Sequence, residues 1–413
     1  MKKTVMSAVV YTAVIGTLNL ASAADNGLNI IDDIKFSGQI RPRYEFADTK
    51  DNVKDVANSF TARVRLAVEA KLFNVHALKA KIGVTSVNNF GYTDYNDGSA
   101  SGNTKYDKIV DAQQAILSEA YLSYTLSDTN ILAGRSHINL DDQRFIGTVG
   151  WRQMERAYDT LTVTNKSVKN LTLLGSWIYG YQGVNSKPTT ETSSAILHAN
   201  YKLNDMFNAT AFSYILADVH NTYGLRATGA IPIGNDIKLN YAASYAKQVK
   251  ASINYNGTAN ANIDASYIDL AVNTKINAYT IGLEYEKLGK AEGTSTKGFT
   301  TPLATLHKFQ GFADEFLAQT GGSNDLGLRD ISVKVGYATK NSGKALVIYH
   351  KFFAEAGANK DFGSEIDVLY ARAIPGLAGL KGLVKAAYYM SKDQGIGHDN
   401  DNAKAWVQAD YKF

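Results

Sequence analysis

Cysteine is missing from all 413 residues, and proline occurs only 5 times. A chain without cysteine forms no disulfides, so an exported protein of this length needs some other constraint. Beyond residue 23 no stretch approaches the roughly 20 consecutive apolar residues that a membrane-spanning helix requires. An excess of one charge is lacking too, with 43 Lys and Arg against 39 Asp and Glu. Nucleic-acid binders rest on strong positive fields, and this balance argues against one. Gly-x-Gly-x-x-Gly is absent, as is any metal-ligand spacing, so no cofactor or metal is expected.

The first residues read as a secretory signal. Lys2 and Lys3 precede an apolar run from Val5 to Leu20, and Ala21-Ser22-Ala23 forms a small-residue cleavage site. Cleavage there leaves residues 24–413 as one mature domain, with 41 basic against 39 acidic residues once Lys2 and Lys3 are gone. The chain is rich in Tyr (25) and Gly (34), which suits an all-β membrane protein with aromatic residues at its interfaces.

Two-residue alternation is the dominant pattern. Between Ile34 and Phe46 one face reads Ile34, Phe36, Gly38, Ile40, Pro42, Tyr44, Phe46; the other reads Lys35, Ser37, Gln39, Arg41, Arg43, Glu45. Phe60 to Leu72 repeats it, with Arg63, Arg65, Glu69 and Lys71 on the polar face. Side chains alternate across a strand, so each segment has a lipid-compatible and a water-compatible side. Ten or more residues is the length that a tilted strand needs to cross a bilayer.

Further strands are expected near 76–86, 115–126, 129–136, 157–165, 171–181, 194–203, 207–217, 222–231 and 236–247. The rest fall near 264–274, 278–288, 329–339, 344–354, 364–374, 380–390 and 404–413. The sum is an 18-stranded antiparallel up-and-down transmembrane barrel, or 16-stranded, since the faces of 129–136, 157–165, 207–217 and 344–354 are ambiguous. Long polar connections (87–114, 137–156, 182–193, 248–263, 289–328) alternate with tight ones such as Ser127-Asp128 and Asn341-Ser342-Gly343. Outer-membrane barrels place long loops outside and short turns in the periplasm. The short link from Asp218 to Asn221 breaks that rhythm. The last strand ends in an apolar face of Ala405, Val407, Ala409, Tyr411 and Phe413. It resembles the C-terminal signal read by the bacterial barrel-assembly machinery, an expected partner alongside outer-membrane lipid.

A barrel in lipid turns its charged face to the lumen, because Arg or Lys on the lipid side costs roughly 2–4 kcal/mol at mid-bilayer. The lumen is thus expected to hold Arg41, Arg43, Arg63, Arg65, Lys79, Lys81 and Arg135, opposite acidic residues such as Glu284, Glu286, Glu365 and Asp367. Arg41, Arg43, Arg63 and Arg65 lie on adjacent strands with few carboxylates beside them, which points to an anion path.

Two loop stretches mix apolar anchors with charge, as a loop folded into the lumen would. One runs Gly134-Arg135, Asp141-Asp142-Gln143-Arg144-Phe145, Gly150-Trp151-Arg152-Gln153, with Asp159 after it. The other runs from Pro302 to Phe316 and contains His307-x-Phe309-x-Gly311-x-x-Asp314. Both resemble runs of the alginate-export family of outer-membrane barrels, and the alternation extends the likeness across nearly the whole mature chain. The resemblance implies an 18-stranded barrel with a constricted, positive lumen. Its pore arginines would be Arg135, Arg144 and Arg152, with Asp141, Asp142 and Asp159 as companions. Phe312 departs from the family, where Trp is common at that place.

The expected function is therefore passage of small hydrophilic, anion-leaning solutes, with export of an anionic polysaccharide such as alginate as the alternative. A barrel serving as an adhesin needs a plugged lumen or a surface domain, for which only 289–328 is long enough. None of the seven His has an evident nucleophile arrangement, which argues against an outer-membrane hydrolase. Asp94 and Asp97 in the 87–114 loop could hold calcium, although solvated acidic loops are common.

Overall fold

The computed structural model describes residues 30–51, 53–73, 75–185, 187–234, 237–257, 262–295, 297–317, 326–358, 360–393 and 398–413. The expected signal sequence, residues 1–23, lies outside them. Alternation resolves into eighteen strands: β1 (Ile31–Thr49), β2 (Ala57–Leu72), β3 (Val75–Asn88), β4 (Gln114–Leu126), β5 (Thr129–Ser136) and β6 (Ala157–Asn165). Next come β7 (Leu171–Gln182), β8 (Thr190–Lys202), β9 (Asn208–Leu216), β10 (His220–Pro232), β11 (Lys238–Lys250) and β12 (Asp264–Ile276). The last six are β13 (Tyr279–Leu288), β14 (Leu328–Thr339), β15 (Gly343–Ala354), β16 (Asp361–Ala373), β17 (Leu380–Ser391) and β18 (Asn402–Lys412). Each pairs antiparallel with its neighbours in sequence, and β1 pairs with β18, so the sheet has no free edge. Closure satisfies every strand's backbone groups within the wall, as lipid demands.

At the seam, Ile40 stands opposite Tyr411 and Thr49 opposite Asn402. Beyond the last strand, Phe413 exchanges two backbone hydrogen bonds with Gly38 (2.7 and 3.1 Å). The Phe413 ring lies over residue 38, where a β-carbon would stand 2.3 Å from it; glycine is needed there for close approach.

Outward positions carry Ile40, Ile82, Leu122, Leu197, Leu283 and Val384, all exposed in the isolated chain. Rings gather at both ends of this apolar band. Tyr279, Tyr337, Tyr370 and Tyr411 mark the short-turn end, and Tyr44, Phe60, Tyr223 and Tyr388 the long-loop end. Inward positions change along their length. On β1 they are exposed as far as Ser37, then buried at Gln39, Arg43, Glu45 and Ala47. Something therefore fills the outer half of the lumen. It is the β5–β6 connection (137–156) together with residues 297–317 of the β13–β14 connection, folded inside the wall.

Those loops also explain the ambiguous faces. The lumen side of β9 carries Phe212 and Tyr214, and that of β15 carries Phe352, because aromatic residues of the inserted loops pack there. A strand with apolar side chains on both sides loses its alternation of apolar and polar residues. The short β9–β10 link is covered by its neighbour: the Asp218 carboxylate accepts the Tyr255 and Asn256 amides of the β11–β12 connection (2.7 and 3.0 Å).

Candidate functional site

The two inserted loops are zipped to each other by backbone hydrogen bonds. Gly147 N–H donates to Leu303 O (2.8 Å), and Thr305 N–H to Gln143 O (2.9 Å). The Thr305 hydroxyl oxygen accepts the Val149 amide at 3.0 Å, with Val149 at φ 58°. A β-branched residue in that left-handed region stores on the order of 1–3 kcal/mol, which the neighbouring loop must hold. Apolar anchors fasten the pair. Phe145 packs among Phe212, Tyr267 and Phe299, and Phe316 among Phe352, Phe362 and Tyr389. Each ring buried this way is worth about 1.5–3 kcal/mol.

Gly311 (φ 84°) lets the β13–β14 loop touch the wall; a β-carbon there would lie 2.4 Å from the Glu365 carboxylate. The amides beyond it point at two wall carboxylates: Phe312 donates to Asp367 (3.1 Å) and Ala313 to Glu365 (2.7 Å).

The arginine face is the platform for the β5–β6 loop. Arg41 stands opposite Arg63 across β1 and β2, and Arg65 opposite Gln39. Arg41 donates to Gly150 O (2.9 Å), Arg43 to Trp151 O, and Arg63 to Arg152 O and Gln153 O (3.5 and 3.4 Å). The expectation that these arginines have few carboxylates beside them is corrected. Arg41 pairs with Asp410 (2.8 Å), Arg43 with Asp111 (3.4 Å), and Arg63 and Arg65 share Glu155 (3.2 and 2.9 Å). Asp111 and Glu155 come from connections, and neither follows from strand alternation. Arg43 and Arg63 are sealed beneath the loop, whereas the side chains of Arg65 and Arg41 keep 29% and 11% of their exposure. Lys79 (42% exposed) and Lys81 also face the lumen, 3.5 Å from Glu69 and 2.8 Å from Glu119.

At the centre, Arg152 bonds Glu45 (2.8 and 3.0 Å) on the wall and Asp314 (3.0 Å) on the other loop. Burial works against its charge, but Glu45, Asp111 and Asp314 outweigh burial and hold the guanidinium above its usual range. Burial likewise disfavours an ionised Asp314, yet His307, Lys404 and Arg152 keep it well below the ordinary carboxylate range. His307 Nδ1 meets Asp314 at 2.6 Å, and its Nε2 meets Lys385 Nζ at 2.6 Å. An ammonium only donates, so Nε2 accepts and Nδ1 carries the proton given to Asp314. Burial pushes the His307 imidazole well below its usual value. Trp151 stacks flat on His307 (4.6 Å, 6°), while Lys385 Nζ lies 3.1 Å from the Phe312 ring centre and 4.3 Å from that of Trp151. This Asp–His–Lys chain is buried, with no hydroxyl nucleophile in its contacts among the described residues, and it joins both loops to β17. Lys385 was not singled out in the sequence, although alternation puts it on the lumen face.

Among the other expected site residues, Arg144 pairs with Glu286 and donates to Thr301 (2.9 Å). Asp141 meets His198 (3.1 Å), and Asp142 meets Lys308, with Arg226 at 3.7 Å. Arg135 and Asp159 need correction as pore-lining residues. They pair in register, with Asp159 on the face of the exposed Leu161 and Val163, and Arg135 on that of the exposed Ile131. Both therefore point outward near the outer rim, joined by two contacts of 2.6 and 2.7 Å. The two-residue period settles this: Ser136 and Tyr158, one step on, are the buried pair.

Beneath the loops a cavity of about 490 Å³ opens against β13–β15, with Asp142, Glu284, Lys308, Lys334 and His350 among its lining. Among the described residues no group of three or more His, Asp or Glu is arranged to hold a metal. Asp97, in the loop considered for calcium, caps its own turn through Ser99 (2.6 and 2.9 Å).

Comparison with solved structures shows the same fold. OccAB4 of Acinetobacter baumannii superposes with a TM-score of 0.72 at 16% identity, over 93% of this chain and 98% of that one. OpdL of Pseudomonas aeruginosa gives 0.70 at 13%, over 92% and 99%. OccK8 (OprE) of Pseudomonas aeruginosa gives 0.70 at 15%, over 93% and 99%. No protein-family profile and no curated protein matches the chain.

Proposed function

We propose that this chain is a bacterial outer-membrane porin passing small hydrophilic solutes, with a preference for anions, through a lumen narrowed by two inserted loops. One observation carries the reading: a closed barrel with an apolar outside holds both loops against its arginine wall and keeps the charged lumen side chains Arg65, Lys79 and Lys81 partly exposed beside them. The outer-membrane porins of the Occ and Opd type, to which the fold is similar, support it. The passage runs past Arg65, Arg41, Lys79 and Lys81 on one side and Glu284, Asp142 and Lys308 on the other. Arg144 and Arg152 act as clamps that hold the constriction. Phe413 at the seam suits recognition by the barrel-assembly machinery.

The polysaccharide-conduit alternative has no support from the comparisons, and the deepest arginines are already committed to loop carbonyls and carboxylates. In planar bilayers the protein should give steady conductance with a reversal potential on the anion side. Exchanging Arg41, Arg65, Lys79 and Lys81 for Glu should move that potential toward cations. An unchanged potential would refute the anion path, and absence of conductance together with absent liposome swelling would sink the channel itself.

A further inference from the structure

We propose that the outward face of β13–β15, at its long-loop end, binds the phosphorylated headgroup of an outer-leaflet lipid. The inference rests on the outer-membrane reading above. Going up β13 the outward side is Tyr279, Ile281, Leu283, Tyr285 and then Lys287; β14 ends on Arg329 above Ile331 and Val333, and β15 on Lys351 above Val347 and Tyr349. Lys287 stands directly opposite Arg329, and Lys351 opposite Ile331, one diagonal step from Arg329. Direct and diagonal cross-strand neighbours lie about 5 and about 7–8 Å apart, so three cations share one patch. Charge on the lipid side is tolerated only near the interface, which puts the patch at headgroup depth.

The hydrogen-bonding inventory leaves donors to spare. Lys287 gives one N–H to Glu355 (3.2 Å), Lys351 one to Asp361 (2.5 Å), and Arg329 one to the Ala354 carbonyl (2.9 Å). An ammonium has three donors and a guanidinium five. No carboxylate among the described residues lies within ion-pair distance of Arg329. Two other outward cations near the rim are more fully matched by carboxylates: Asp159 takes Arg135 through two contacts, and Lys247 sits between Asp264 (2.5 Å) and Glu292 (2.7 Å). Phe353 completes the patch, with Arg329 and Lys351 at 5.7 and 5.4 Å from its ring centre. A ring flanked by unsaturated cations fits the junction between acyl chain and phosphate better than it fits a free anion.

The test uses the full mature barrel in detergent, titrated with bisphosphorylated lipid A, its dephosphorylated form, and inorganic phosphate, with bound lipid read by native mass spectrometry. The bisphosphorylated lipid should be retained selectively. Lys287→Gln, Arg329→Gln and Lys351→Gln should each weaken retention about fivefold, from roughly 1 kcal/mol per basic residue at a membrane surface. Arg372→Gln, on the outward face at the opposite end of β16, should leave it unchanged. If either lysine variant fails to fold, as judged by thermal unfolding, Arg329→Gln alone decides. Equal binding of the dephosphorylated lipid, competition by millimolar phosphate, or unchanged retention in the variants overturns the proposal. A conducting pore that retains no lipid overturns this inference alone, whereas lipid retention without conductance overturns the porin reading.

Discussion

Arg152 concentrates the energetics of the constriction on one side chain. Its guanidinium lies between Glu45 and Asp314, whose carboxylates are fully buried. Removing one partner from a buried ionic network leaves uncompensated charge and costs about 3–5 kcal/mol. Arg152→Gln should therefore loosen both loops while the wall, bonded independently, stays closed. Limited proteolysis within 137–156 should become rapid, and conductance larger and noisier; wild-type resistance to cleavage would contradict the clamp. The same residue shows where reading a sequence stops. Arg152 stood out by motif, but its partners lie 107 and 162 positions away, and no local period links them. Glu155 and Asp111 were missed for that reason. Arg135 was misplaced because Ile131 and Leu132 are both apolar, so β5 shows no clear face until its register with Asp159 is known.

At the level of elements, the wall was legible because lipid and water impose a two-residue period on every strand that does not pack against an inserted loop or, like β5, carry apolar neighbours on both faces. Loop insertion was legible only as mixed composition, Phe145 and Trp151 beside Arg144 and Arg152. The docked arrangement carries a pH signature. Burial lowers the imidazoles of both loop histidines, His137 and His307. A histidine whose folded pKa lies below its free value takes up protons on release, so its docked state loses stability as pH falls below the free value of about 6.5. Asp314, held low in place, adds loss at still more acid pH. Protection from hydrogen exchange across 137–156 and 297–317, taken relative to the intrinsic exchange rate at each pH, should fall between pH 7.5 and pH 5.5, and His307→Gln should flatten the response. Protection that is independent of pH in the wild type would count against a neutral His307.

For the whole molecule, the seam of β1 with β18 ends in the contact of Phe413 with Gly38. Gly38→Val puts a branched side chain where the Phe413 ring lies. The folded, heat-modifiable band of the barrel on SDS gels should weaken and the denatured band grow, while truncation at a loop such as 53–56 should not have this effect. An unaltered folded fraction in Gly38→Val would show that the seam tolerates a displaced terminus.

The seam and the constriction share residues. Arg41 reaches Asp410 and Arg43 reaches Gln408, both from β1 across to β18, and the same two guanidiniums hold Gly150 and Trp151 of the inserted loop. Until first and last strands meet, these two guanidiniums lack Asp410 and Gln408, the partners that fix their direction. Final seating of the loop is then expected to accompany closure, so that a finished wall and a guarded opening arrive together.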